Sequence, residues 1–86
     1  MTGYRVELRP GAERQRRALP DPARRRINEV LLSLEETPRP AGVVKLRDRQ
    51  NEWRVRIGDY RIIYGVDDTA QLVTILRIQH RREAYR

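Results

Sequence analysis

A chain of 86 residues holds one domain, because roughly 100–200 residues is the usual allotment and a second core would have nothing to bury. Hydrophobic residues make up 38% and charged ones 36%; no run approaches the roughly 18 apolar residues of a membrane span, and zero cysteines with a single His80 exclude disulfides, thiolate chemistry and a multi-histidine metal centre. The formal charge of +7, from 18 arginines and one lysine against 12 acids, points to a polyanionic partner such as RNA or DNA.

Tyr4-Arg5-Val6-Glu7-Leu8 alternates apolar and polar residues with period two, which predicts a strand ended by Pro10-Gly11. Pro10 to Leu19 is compatible with a weakly amphipathic helix, with Ala12 and Leu19 inward and Pro20 as its stop. The next helix is better marked. Asp21 is placed to N-cap it, Pro22 suits its first position, and Ala23, Ile27, Val30, Leu31 and Leu34 form one apolar stripe. Arg24, Arg25 and Arg26 lie off that stripe and read as a solvated face. The proline-rich run 37–42 cannot continue a helix and separates a helical half from a strand-rich half.

Val43 to Leu46 is a short strand candidate, Trp53 to Ile57 alternates cleanly, and Gly58-Asp59 is a tight turn. Tyr60 to Val66 has the β-branched and aromatic content of a central strand. Asp67-Asp68-Thr69 turns the chain into a further strand, Leu72 to Ile78, and the residues from His80 to Arg86 close it as a polar tail. The expected fold of this single domain, residues 1–86, is α+β: one strand, two helices, then three to four antiparallel strands, with the helices packed on one face of the sheet. The opening residues lack the apolar core of a secretory signal, so the expected location is cytoplasmic.

Alternation along a strand sends Trp53, Val55 and Ile57 to the core and Arg54 and Arg56 to the other face, about 7 Å apart. Two consecutive hairpins would bring Arg61 and Arg81 to the same region. Any one of these arginines is an ordinary exposed charge, but four together repel unless an anion sits among them. His80 stands beside Arg81 at a strand end, and histidine is the residue type best suited to acid–base work near neutrality, although a lone histidine is more commonly a hydrogen-bonded structural group. Tyr85 reads equally as a cap on the core or as a phenol aimed at the site. Trp53, Tyr60 and Tyr64 read as core. Glu35-Glu36 ends a helix and Asp67-Asp68 lies in a turn, so neither pair makes a convincing metal site.

The run Lys45-Leu46-Arg47, the segment Trp53-Arg54-Val55-Arg56-Ile57-Gly58-Asp59-Tyr60-Arg61-Ile62-Ile63-Tyr64 and the ending His80-Arg81-Arg82-Glu83-Ala84-Tyr85-Arg86 resemble the RelE branch of the RelE/ParE toxin superfamily over nearly the whole chain. The resemblance implies a RelE-like, microbial-ribonuclease-like fold and the toxin of a bacterial type II toxin–antitoxin system. It further implies an endoribonuclease, free of metal and cofactor, that cuts mRNA in the ribosomal A site through attack of the RNA 2′-hydroxyl and so stops translation. The partners implied are mRNA, the ribosome and a cognate antitoxin, acidic and encoded next door, in a hetero-oligomer with no membrane.

Family positions for charge stabilisation fall on Arg54, Arg56, Arg61 and Arg81, and the proton-handling phenol falls on Tyr85. Arg54 and Arg56 stand where the best-known RelE-type member has lysines; arginine stays protonated, so the acid–base roles pass to His80 and Tyr85. Lys45, Arg47, Arg77 and Arg82 are the further cations expected to contact RNA or ribosome. The alternatives are a ParE-like gyrase poison, which shares the fold, and a nucleic-acid-binding module without chemistry.

Overall fold

A computed structural model describes residues 3–47 and 50–84. The described elements are β1 (Arg5–Leu8), α1 (Pro10–Arg17), α2 (Asp21–Ser33), β2 (Val44–Lys45), β3 (Glu52–Ile57), β4 (Tyr60–Asp67), β5 (Leu72–His80) and α3 (Arg81–Ala84). The strands form one sheet in the order β1-β5-β4-β3-β2. Neighbours are antiparallel except β1, which runs parallel to β5 at the edge. The expected α+β order therefore holds, while the polar tail is in part a short helix.

The apolar stripe of α2 does what its spacing predicts. Ile27, Leu31 and Leu34 join Ala12 of α1 and Ile57, Ile62, Tyr64, Val66, Val73, Ile75 and Ile78 of the sheet in one buried cluster, with Val30, Leu19, Trp53, Val55 and Tyr60 packed partly against it. Helices α1 and α2 thus cover one face; neither covers the other, where β4 nonetheless buries Arg61 and Ile63. The helix begins one residue earlier than expected: Pro20 is the cap position, and Asp21 sits in the first turn, ion-paired with Arg24, where negative charge suits the helix dipole. Arg24 also donates to the Leu19 carbonyl at 3.0 Å, so only Arg25 and Arg26 of the three arginines are exposed.

One irregularity sets the faces of the sheet. Ile63 pairs with Arg77 but Tyr64 pairs with Ile75, so Leu76 is an extra residue in β5. Such a bulge shifts the alternation of every residue beyond it to the opposite face.

Tyr64 is fully buried on the central strand, and its hydroxyl donates to the Pro38 carbonyl at 2.8 Å, fastening the proline-rich loop to the core. Burial pushes the phenol up to about 12, above the value of about 10 it has in an unfolded chain. Below the unfolded value both states are neutral; as pH rises from about 10 towards about 12, the unfolded state ionises first and stability is lost. Tyr64→Phe is expected to cost about 1 kcal/mol at neutral pH through the missing hydrogen bond, and to flatten that alkaline decline. Thermal melts recorded across the alkaline range check it, and parallel pH profiles for parent and variant would contradict it.

Candidate active site

On the open face, strand register brings the arginines into rows. Arg56 lies directly across from Arg61, which in turn faces Gln79; the next row is Arg54, Ile63 and Arg77. Two guanidiniums directly opposite each other concentrate positive potential in this row, which favours an anion. A hollow of 130 Å³ opens there, lined by Arg56, Arg61 and Arg81 together with Gly58, Asp59 and Tyr60.

Three features shape this hollow. The turn between β3 and β4 is kept tight by Gly58, whose φ of 58° is in the left-handed region that glycine adopts without penalty. Arg61 is only 9% exposed and forms the floor. Arg81 enters from the start of α3, its backbone N–H donating to the Asp59 carbonyl at 2.6 Å while its guanidinium lies 3.8 Å from the Asp59 carboxylate. A cluster of guanidiniums, Arg61 buried and Arg56 and Arg81 exposed, is suited to a phosphoryl group on which negative charge grows during reaction.

The other expected site residues are distributed differently. Arg54 and Arg77 flank the hollow in the next row. His80 is a correction: it does not share the arginine face. It pairs with Tyr60 on the helix-covered side, where the two rings meet edge to face at 5.1 Å, and its Nδ1 accepts the Arg82 N–H at 3.1 Å. Strict alternation from Val73 and Ile75 would put His80 on the open side; the bulge at Leu76 reverses that. Lys45 lies opposite Trp53, on the helix side at the sheet edge, Arg47 is exposed in the following turn, and Arg82 is exposed on α3. Tyr85 lies outside the described residues.

A family model described as the ParE toxin of the type II toxin–antitoxin system parDE matches residues 6–85. The chain belongs to the RelE/ParE family of type II toxins. It is 31% identical to toxin RelG of Mycobacterium tuberculosis over 84 residues, 96% of this chain and 97% of RelG. The RelE–RelB complex of Pyrococcus horikoshii OT3 contains a chain that superposes with a TM-score of 0.83 at 34% identity, covering 94% of this chain and 97% of that one. The RelBE2 toxin–antitoxin complex of Mycobacterium tuberculosis gives 0.80 at 30%, with 93% of each chain covered. The isolated RelE toxin of E. coli shares the fold, with a TM-score of 0.80 at 22% identity and 95% of each chain covered.

One feature of this RelE/ParE toxin was not legible in its sequence. At the end of the sheet away from the hollow, Asp68 accepts hydrogen bonds from Arg39 at 2.8 and 3.2 Å and from the Tyr4 hydroxyl at 2.7 Å, and Arg39 lies 5.2 Å from the centre of the Trp53 ring. The Arg39 and Tyr4 donors hold the Asp68 carboxyl below the usual carboxylate range. Asp68 is thereby committed to tying β1, the proline-rich loop and the β4–β5 turn together, and Asp67 instead accepts the Ala70 N–H within that turn at 3.0 Å.

Proposed function

We propose that this toxin is a ribosome-dependent endoribonuclease that cleaves mRNA in the A site and stops translation. The observation that carries the reading is the convergence of Arg56, Arg61 and Arg81 on one hollow of an otherwise open sheet face. In this mechanism the scissile phosphate lies among the three guanidiniums, with Arg54 and Arg77 against the adjoining backbone. The RNA 2′-hydroxyl attacks the adjacent phosphorus, the 5′-oxygen leaves, and the products are a 2′,3′-cyclic phosphate and a 5′-hydroxyl end.

Charge accumulates on the non-bridging oxygens in the transition state, and the guanidiniums of the hollow stabilise it, Arg61 with the least reorganisation because it is buried. The arginines stay protonated, so they hold charge and do not take the proton. Proton handling falls to Tyr85, the phenol at the family position. His80 is turned to the helix-covered side, where it packs against Tyr60, and takes no proton in this mechanism. The partner that restrains the toxin is an antitoxin, as in the RelE–RelB and RelBE2 complexes of its structural neighbours, and the +7 charge favours an acidic segment.

Mapping of 5′ ends after incubation with translating ribosomes tests the reading. Cuts inside codons that carry 5′-hydroxyl ends are the expected result. Intact mRNA, with arrest instead traced to gyrase, would overturn it in favour of the gyrase-poison activity.

A further inference from the structure

The open face does not end at the arginines. Further along the same strands lies a trough of 520 Å³, within the roughly 300–1,000 Å³ of ligand-binding clefts. Glu52 of β3, Asp67 of β4, Thr74 and Leu76 of β5, Asn51 and Arg9 are among the residues that line it. Its lining also includes Gly65, in register with Glu52 on one side and Thr74 on the other.

Gly65 has no local reason to be glycine. It occupies the interior of a central strand, where glycine is entropically unfavourable and has no side chain to pack. It is not one of the positive-φ glycines, Gly42 and Gly58, and a Cβ built on it would meet nothing closer than the Asn51 carbonyl at 3.5 Å, an ordinary contact. What the missing side chain does is leave the trough open between its two walls.

The trough is continuous with the arginine rows. Glu52, Leu76 and Arg9 also line a recess against Arg77, which shares its row with Ile63 and Arg54. Gly65 is two residues along β4 from Ile63 and four from Arg61, about 7 and 13 Å at the rise of a strand. An RNA strand with its phosphate in the hollow would therefore carry a flanking nucleotide to the trough. Among the described residues the lining carries three carboxylates, Glu52, Asp67 and Asp68, against one cation, Arg9, a balance that disfavours phosphate, so the group that enters is a base.

We propose that the trough is a base-reading subsite that takes a nucleobase bearing an exocyclic amino group and rejects uracil. The proposal rests on the RNA-cleavage reading. Adenine, cytosine and guanine each present N–H donors that a carboxylate accepts, whereas uracil offers two carbonyl oxygens around a single N–H and sets oxygen against oxygen. Asp67 already accepts the Ala70 N–H, so Glu52 is the principal acceptor.

Ribosomes programmed with mRNAs that differ only in the nucleotides flanking the cut test this, with the parent compared with Glu52→Gln and Gly65→Val. The parent should cut about tenfold more slowly when uracil occupies one flanking position, the discrimination that a good base-edge contact supplies. Glutamine both donates and accepts, so Glu52→Gln should cut the uracil and amino-base messages at similar rates. Gly65→Val fills the trough and should abolish the preference too, while melting temperatures confirm that both variants fold. A parent without base preference, or one whose preference either variant retains, overturns the subsite and leaves the nuclease reading standing. Failure of the parent to cut any message overturns both. Loss of antitoxin binding in the two variants with base preference unchanged would assign the trough to the antitoxin instead and overturn the proposal.

Discussion

Arg61→Ala is expected to slow RNA cleavage by about 10²–10³-fold, the usual cost of removing one preorganised donor from a developing oxyanion, and to relieve growth arrest when the toxin is expressed without its antitoxin. Arg61 is the buried member of the set at 9% exposure, so its guanidinium acts where solvent screens it least. Arg81→Ala should have a smaller effect, because that side chain is 65% exposed and lies beside Asp59. Arg25→Ala removes an equal charge from the exposed face of α2, is not among the residues that line the hollow, and should leave cleavage at the parent rate. Single-turnover rates on ribosome-bound message, with melting temperatures and antitoxin binding as controls on folding, separate loss of chemistry from loss of structure. Equal rates for the Arg61 and Arg25 variants would remove the phosphate from the arginine hollow.

Ile27→Ala should act through stability alone. Ile27 is fully buried between α2 and the sheet, and truncating such a side chain removes its transfer energy and leaves a cavity, a loss of about 2–5 kcal/mol. Domains of this size have only about 5–15 kcal/mol in total, and each kcal/mol moves the melting temperature by roughly 4–8 °C. The expected result is a melting temperature lower by tens of degrees at the upper end of that cost, with toxicity and antitoxin binding lost together at 37 °C. The Arg61 variant, by contrast, should lose toxicity and keep antitoxin binding. An unchanged melting temperature for Ile27→Ala would mean that α2 does not close this core.

The two substitutions mark the boundary between what local pattern encodes and what it does not. The stripe of Ile27, Leu31 and Leu34 and the alternation of Trp53, Val55 and Ile57 against Arg54 and Arg56 were legible because each repeats at the period of its own element, and a helix or strand can bury one face only in that way. The tight turn at Gly58-Asp59 then aligned β3 with β4, which put Arg56 across from Arg61 by counting alone. The order of elements followed from the same signals, with the proline-rich run dividing the helices from the antiparallel strands.

Tertiary structure decided the rest. Whether β1 lies at the edge and runs parallel to β5 depends on where the helical crossover delivers the chain, which no residue of Arg5–Leu8 encodes. The faces of β5 depend on the bulge at Leu76. Its trace in the sequence is the step from Ile75 to Ile78, three residues where alternation asks for two, but a broken period does not say which residue is extruded until the partner strand sets the register. That one extra residue turns His80 to the helix side and leaves Arg77 in the row of Arg54, with Ile63 between them. The burial of Arg61 and the trough at Gly65 have the same origin: both are properties of neighbouring strands held side by side, and a single strand read by itself contains neither.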